Sequence, residues 1–423
     1  MVFTVKKNWE VNMKFSNDNE EKVIKIKQSS KVALHEIEDG LGNTTNQNSD
    51  GIKRCVGCGI AFQTEDERKP GFVLDNVRQD YCLRCFKIKN YGRLVEQEIN
   101  DKDFIAILEE INNSSSQIRY YYVVDIFDLP GSRLEWLEKM IATKEVIILV
   151  NKIDLVPKVV SKDKIIAYVK KYFGLGVLKD AKIMLTSSVK KEHVFPLVEA
   201  MKTVTYDQYI VGVSNAGKSS LINACLYANQ QAPSVVTSKY VNTTLDKIKI
   251  NFTKENYVYD TPGLVKHNHI AIATAPSYWD YFFFQKEVKQ VTYQLQSGQS
   301  IFYGGVAWFN YVGGAQTDET GKELRTSFHF YINRRMPLHR TKTDNSEKYF
   351  RSHRHALAPR LKDKDAVFTT HTFKFTKEDN VDIHISGLGW INVKTFPGLH
   401  LEVVVPTVDN GGIKVSLLPA LIS

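Results

Sequence analysis

The chain has 423 residues, a length that predicts two or three domains at about 100–200 residues each, and its 43% hydrophobic and 24% charged residues exclude wholesale disorder. Lys and Arg (56) exceed Asp and Glu (47) by nine, an excess compatible with a polyanionic partner without requiring one. No stretch approaches the about 20 apolar residues of a membrane-spanning helix, so no membrane partner is expected.

Residues 1–50 contain no Arg and eight acidic residues, which fits neither a secretory signal nor an Arg-rich transit peptide; they read as a mobile leader. Residues 51–97 carry Cys55, Cys58, Cys82 and Cys85 in two C-x2-C pairs, 23 residues apart. Gly57 and Gly59 give the first pair the freedom to turn both sulfurs onto one ion. The charged run between the pairs, with Pro70-Gly71, has too little apolar content to fold unaided, which favours a structural Zn2+ knuckle over redox-active thiols. Four thiolates complete a tetrahedral shell and leave no open position.

Residues 98–275 alternate strands and helices. Strands are expected at Tyr120–Ile126, up to Asn151 and at Ile183–Thr186, with helices at Gly131–Ile141, Lys162–Phe173 and Val194–Val204. The strand Val146–Val150 ends in Asn151-Lys152-Ile153-Asp154, an N-K-x-D box. A carboxylate at Asp154 can accept from N1–H and the 2-amino group of guanine, donors that adenine does not present in that geometry. Asn151 would brace the loop, and the stem of Lys152 would cover the ring. Ser187 and Ser188, in LTSSV at 185–189, can offer a backbone contact to the guanine carbonyl.

The run Tyr209–Leu226, YIVGVSNAGKSSLINACL, is a strand, G-x4-G-K-S and a helix, the context of a phosphate-binding loop. Gly212, Ser214 and Gly217 shape the loop, Lys218 reaches the β- and γ-phosphates, Ser219 ligates Mg2+ and Ser220 continues the helix N-terminus. Asn215 either holds K+ beside the phosphates or stabilises its own loop. Thr243-Thr244 lie where a switch loop is expected, with Thr244 as Mg2+ ligand and Thr243 as the fallback. In YVYDTPG, Asp260 would hold Mg2+ through water and the Gly263 amide would sense the γ-phosphate. Lys218, Asn215, Thr244 and Gly263 are therefore the candidate catalytic positions. Leu264 stands where many GTPases carry a water-orienting Gln, so slow turnover is expected.

Asp154 precedes Lys218 by more than sixty residues, the reverse of the ordinary order. The expected fold class is α/β: a circularly permuted P-loop GTPase with a doubly wound, mostly parallel sheet, a zinc knuckle before it and a mainly β (α+β) domain after it. Residues 276–423 supply that last domain in short aromatic and β-branched runs. Between Arg334 and Lys364 ten Lys/Arg face three Asp/Glu, with Tyr349 and Phe350 available to stack on bases; the alternative is a solvated basic face.

The paired cysteines, VVDIFDLPGS (123–132), NKID, GVSNAGKSS, NTTLD and DTPGL, in that order, resemble the YqeH family of circularly permuted GTPases, as do LHRTK (338–342) and GLGWI (387–391). The resemblance implies a GTP/GDP-, Mg2+- and Zn2+-binding enzyme of the bacterial cytoplasm. It would assist assembly of the small ribosomal subunit and bind ribosomal RNA through the C-terminal domain. A nucleotide-gated RNA-binding scaffold with little hydrolysis is the alternative; a metabolic P-loop kinase conflicts with N-K-x-D.

Overall fold

The structure, a computed structural model, describes residues 53–55, 60–67, 71–74, 80–86, 98–229, 248–251, 256–284, 286–408 and 412–422. The expected leader, Cys58 with its two glycines, and Thr243-Thr244 lie outside these residues.

Strand β1 (Glu98–Ile99) enters helix α1 (Asp101–Ser114), whose first turn is closed by the Asn100 side chain accepting from the Asp103 amide at 2.9 Å. Then come β2 (Ile118–Asp125), α2 (Leu129–Ser132), α3 (Glu135–Ile141), β3 (Glu145–Asn151), α4 (Lys162–Phe173), β4 (Lys182–Leu185), α5 (Phe195–Lys202), β5 (Asp207–Val211), α6 (Lys218–Ala228), β6 (Ile248–Asn251) and β7 (Tyr257–Asp260). All eight residues of β2 are buried, as a strand covered on both faces requires. Helix α4 spans the expected residues, capped by Ser161 accepting from the Lys164 amide.

The expected continuous helix Gly131–Ile141 is instead two pieces, α2 and α3. Arg133 is extended, and the buried Tyr122 hydroxyl donates to the Ser132 carbonyl (3.0 Å) and accepts from the Leu134 amide (2.9 Å). Backbone groups that would continue the helix are used to anchor it to β2, a long-range demand that periodicity does not reveal.

The six strands are ordered β4-β3-β2-β5-β7-β6, parallel except for β6 against β7. Strand β5, which carries the glycine loop, sits between β2 and β7, so β2 to β4 form the half of the sheet that ordinarily follows the loop. The spatial neighbours are those of a doubly wound sheet; only the chain order is rotated. A tyrosine ladder crosses the middle of the sheet, with Tyr209 tilted against Tyr120 at 5.8 Å and stacked on Tyr259 at 4.8 Å.

After β8 (Gly263–Leu264) the chain forms β9 (Lys289–Leu295), β10 (Gln299–Tyr303), β11 (Ala307–Gly313), β12 (Thr326–Ile332), β13 (Leu338–Lys342), α7 (Ser346–His353), β14 (Phe368–Lys374), β15 (Asp379–Ile385), β16 (Gly389–Thr395), β17 (His400–Pro406) and β18 (Val415–Pro419). Two antiparallel five-stranded sheets result, β13-β10-β11-β17-β14 and β18-β15-β16-β12-β9. They share one apolar core in which Phe309 of one sheet packs on Phe328 and Phe330 of the other. The core of the six-stranded sheet also extends into this region, since Phe127 stacks on Phe284 (5.3 Å) and Trp390 (5.7 Å).

Phe350 corrects one expectation. It is 5% exposed and packed among Trp308 and Phe368, where an amphipathic helix turns its apolar face inward, so it is no platform for bases. Its neighbour Tyr349 instead stacks with His339 and His353, both exposed. Among the described residues no helix is long and apolar enough to cross a membrane.

Candidate nucleotide site

The glycine loop follows β5 directly. A side chain at Gly212 would place Cβ 2.6 Å from the Val123 carbonyl oxygen, and one at Gly217 2.4 Å from Asn151 Nδ2; both residues have positive φ. Only glycine fits, and the loop can lie close to the ends of β2 and β3 because of it. Asn215 is also left-handed, at φ 62°. Helix α6 starts at Lys218, so its free amides and positive dipole end open toward the loop. Lys218 is buried and its ammonium donates to the Gly212 and Val213 carbonyls at 3.1 and 3.4 Å. Ser219 is buried in the same first turn, Ser220 is exposed, and the buried Ser214 hydroxyl has no hydrogen-bond partner among the described residues.

The N-K-x-D loop is tied to this loop through side chains. Asn151 Nδ2 donates to the Ala216 carbonyl at 2.9 Å, and Lys152 Nζ donates to the Asn215 carbonyl at 2.8 Å and to Asp125 Oδ2 at 2.6 Å. The left-handed backbone at Lys152 starts the turn that presents half-buried Asp154. The Ile153 amide donates to the Thr186 carbonyl, bringing the loop beside Ser187 and Ser188. Ser187 is buried and its hydroxyl accepts from the Val189 and Lys190 amides; Ser188 is half-buried. Asp125 was not singled out for this role from the sequence. Its signal is an acid buried at the end of an apolar strand, within VVDIFDLPGS.

The D-x-x-G segment is gripped from two directions. Asp260 ends β7, 1% exposed, and forms an ion pair with Arg84, which is 2% exposed. Three residues on, β8 pairs in parallel with β1, while the Ser214 amide donates to the Leu264 carbonyl at 2.7 Å and the Leu264 amide to the Gly212 carbonyl at 3.2 Å. Leu264 is fully buried and its side chain offers no polar group to a water. Beyond it, Lys266 Nζ pairs with Asp128 Oδ2 at 2.8 Å, and His269 Nε2 approaches the same oxygen at 3.9 Å. All three are buried. Burial alone would push the Asp128 carboxyl up, but the Lys266 charge and hydrogen bond hold it below the usual carboxylate range. Burial drops His269 to about 3, against the partial opposition of Asp128. His269 therefore sits as a neutral ring, stacked on Phe283, with Nδ1 accepting from the Ala271 amide.

Cys55, Cys82 and Cys85 are buried with their sulfurs all within 4.8 Å of one another, and the Cys82 amide donates to Cys55 Sγ at 3.1 Å. Three convergent thiols and an amide-to-sulfur bond suit a thiolate-bound Zn2+ in donor type and spacing. Arg84, between two of them, ties this cluster to the D-x-x-G segment.

A glycine-loop cradle for phosphates, an acidic N-K-x-D turn beside it and a D-x-x-G strand end, all on one sheet of rotated order, define a P-loop GTPase of the circularly permuted class, using GTP/GDP and Mg2+. Residues 207–292 match the family model described as 50S ribosome-binding GTPase, and residues 325–421 the one described as YqeH-like, C-terminal. The chain is 31% identical over 352 residues to the protein YqeH of Bacillus subtilis, covering 80% of this chain and 92% of that one. It is 24% identical over 401 residues to NO-associated protein 1, chloroplastic/mitochondrial, of Arabidopsis thaliana (81% and 70% covered). With GTPase Der of Malacoplasma penetrans it shares 27% over 221 residues (48% and 46%). The chain belongs to the YqeH family.

Proposed function

We propose that this GTPase is an assembly switch for the small ribosomal subunit in the bacterial cytoplasm, relaying its nucleotide state from the D-x-x-G segment to a C-terminal domain that binds ribosomal RNA. The observation that carries the reading is the buried Asp128–Lys266 pair: the chain leaving Gly263 is fastened within three residues to α2's neighbour on the GTPase sheet, and at Ile270 it hydrogen-bonds the Ser386 carbonyl of the C-terminal sheet. A γ-phosphate that pulls on Gly263 would act on a segment already joined to both parts.

In this reading residues 1–50 are a leader, 51–97 a zinc module, 98–275 the GTPase domain and 276–423 the RNA-binding domain. Gly212, Ser214, Gly217, Lys218 and Ser220 cradle the phosphates. Ser219, Thr244 and, through water, Asp260 hold Mg2+. Asn151, Lys152, Asp154, Ser187 and Ser188 frame guanine, and Asn215 holds K+. Cys55, Cys58, Cys82 and Cys85 hold Zn2+. Equal hydrolysis in KCl and NaCl would remove the K+ role. RNA contact is assigned to the exposed His339 and His353 rings stacked on half-buried Tyr349, with Arg340, Arg351 and Arg360 exposed on the same stretch of chain; exposed rings take splayed bases and guanidinium groups take phosphates.

The test is co-sedimentation with purified small and large subunits in GTP analogue and GDP, with Lys218→Ala as control. Small-subunit binding that requires the analogue supports the reading; binding to the large subunit alone, the subunit named by the matched GTPase model, overturns the partner. The buried Leu264 favours one alternative, a nucleotide-gated scaffold with little hydrolysis, which predicts subunit binding without stimulation of turnover.

A further inference from the structure

Arg84 and Asp260 are 176 residues apart in sequence, yet their side chains meet in a buried ion pair. Arg84 lies on the short helical turn 83–86, flanked by Cys82 and Cys85, so the thiol cluster fixes where the guanidinium points. A second connection runs parallel to the first: β1 pairs with β8 at Gly263–Leu264, three and four residues past Asp260. Two elements that precede the GTPase sheet in the chain thus converge on one end of β7.

We propose that Arg84 is a latch on the Mg2+ side of the nucleotide site: the cysteine module presents a guanidinium that competes with hydrated Mg2+ for Asp260, and so sets how tightly Mg2+-nucleotide is held. The inference rests on the reading of Asp260 as the Mg2+-facing carboxylate. A carboxylate this deeply buried is stabilised by one cation; a second positive group beside it, in a medium of low effective dielectric, costs energy unless the first moves away. Mg2+ entry therefore has to loosen the Arg84 pair, and metal at the thiols, by fixing the turn, opposes that movement. Linkage makes the effect reciprocal: whatever loosens the cysteine module favours Mg2+-nucleotide, and the bound nucleotide loosens the module.

The test uses the full chain, with zinc content equal in every variant, and follows fluorescent-GDP affinity as Mg2+ is titrated, alongside the thermal midpoint with and without Mg2+. Arg84→Ala is expected to lower the Mg2+ midpoint about tenfold, within the usual range of coupling between sites, and to enlarge the Mg2+-dependent rise in thermal midpoint. Arg84→Gln, which keeps a polar chain of similar length without the charge, is expected to lower the midpoint in the same direction and serves if the alanine variant does not fold. A midpoint unchanged in Arg84→Ala overturns the latch. A raised midpoint also overturns it, and places Arg84 on the phosphates as a helper of binding. Asp260→Asn separates the underlying reading: loss of the Mg2+ dependence upholds that carboxylate's role, while full retention overturns the role and the latch together.

Discussion

The glycine loop and the N-K-x-D loop meet over the ends of three adjacent strands, whereas the D-x-x-G segment is held by residues drawn from almost the whole chain. At the first place Lys152 and Asn151 reach one loop away, to Asn215, Ala216 and Asp125, and each bond serves to fix a turn whose residues are consecutive. At the second, Arg84, β1, Asp128 and the Ser386 carbonyl converge on a segment that runs from Asp260 to Ile270. The glycine loop and the N-K-x-D loop are tied to each other and to the end of β2 by side chains of two consecutive residues. The D-x-x-G segment is built from distant pairings, through which, in the proposed switch, other parts of the molecule would sense its movement.

Breaking the clamp should cost most. Asp128→Ala leaves the Lys266 ammonium buried without its counter-charge, and unfolding by denaturant is expected to show a loss of about 3–5 kcal/mol. Adding Lys266→Met should restore most of it, since an apolar chain of similar length fills the site without a charge to compensate. If Asp128→Ala alone is neutral, the pair does not hold the segment.

The recognition end should respond in specificity and leave stability intact. Asp154→Asn replaces an acceptor of two guanine donors with a group that can accept only one and sets an N–H against the other. GDP affinity is expected to fall about 100-fold, near 2.7 kcal/mol, with thermal stability unchanged. Equal affinity for GDP in this variant would move guanine recognition elsewhere.

The contrast between the two places also governs how much could be read in advance. G-x4-G-K-S, N-K-x-D and D-T-P-G were legible because each is spelled by consecutive residues, and the rotated order because it is the order of those spellings along the chain. The break between α2 and α3 was not, because it depends on Tyr122 in a strand reaching Ser132 and Leu134. Phe350 was misread for a similar reason: its stretch is strongly basic, yet the helix period turns this one ring toward Trp308 and Phe368. Arg84 carries no local signature, and although Asp125 and Asp128 lie in the VVDIFDLPGS motif, nothing in it names Lys152 and Lys266 as their partners.

The seam between the GTPase sheet and the C-terminal sheets offers the smallest effect. Burial pushes the Asp382 carboxyl up to about 7, offset in part by the Leu421 amide and Asn392. An acid with a raised folded-state value contributes stability that is complete below about pH 4, its unfolded range, and lost as pH rises through about 7. His384, lowered to about 4 by burial and hydrogen-bonded to Tyr168 across the seam, acts oppositely: its contribution is lost as pH falls below about 6.5. Asp382→Asn should therefore flatten the decline in thermal midpoint between pH 6 and 8, a change of about 2–4 °C; an unaltered decline would contradict it.

Hydrogen exchange on the full chain in GDP and in GTP analogue would follow the amides of residues 263–272 and 382–390. The account predicts that both segments change protection together on exchanging one nucleotide for the other, because the Ile270 amide bonds the Ser386 carbonyl and Asp128 holds Lys266 between them. A change confined to residues near Gly263, with 382–390 identical in the two states, would contradict a relay to the C-terminal domain.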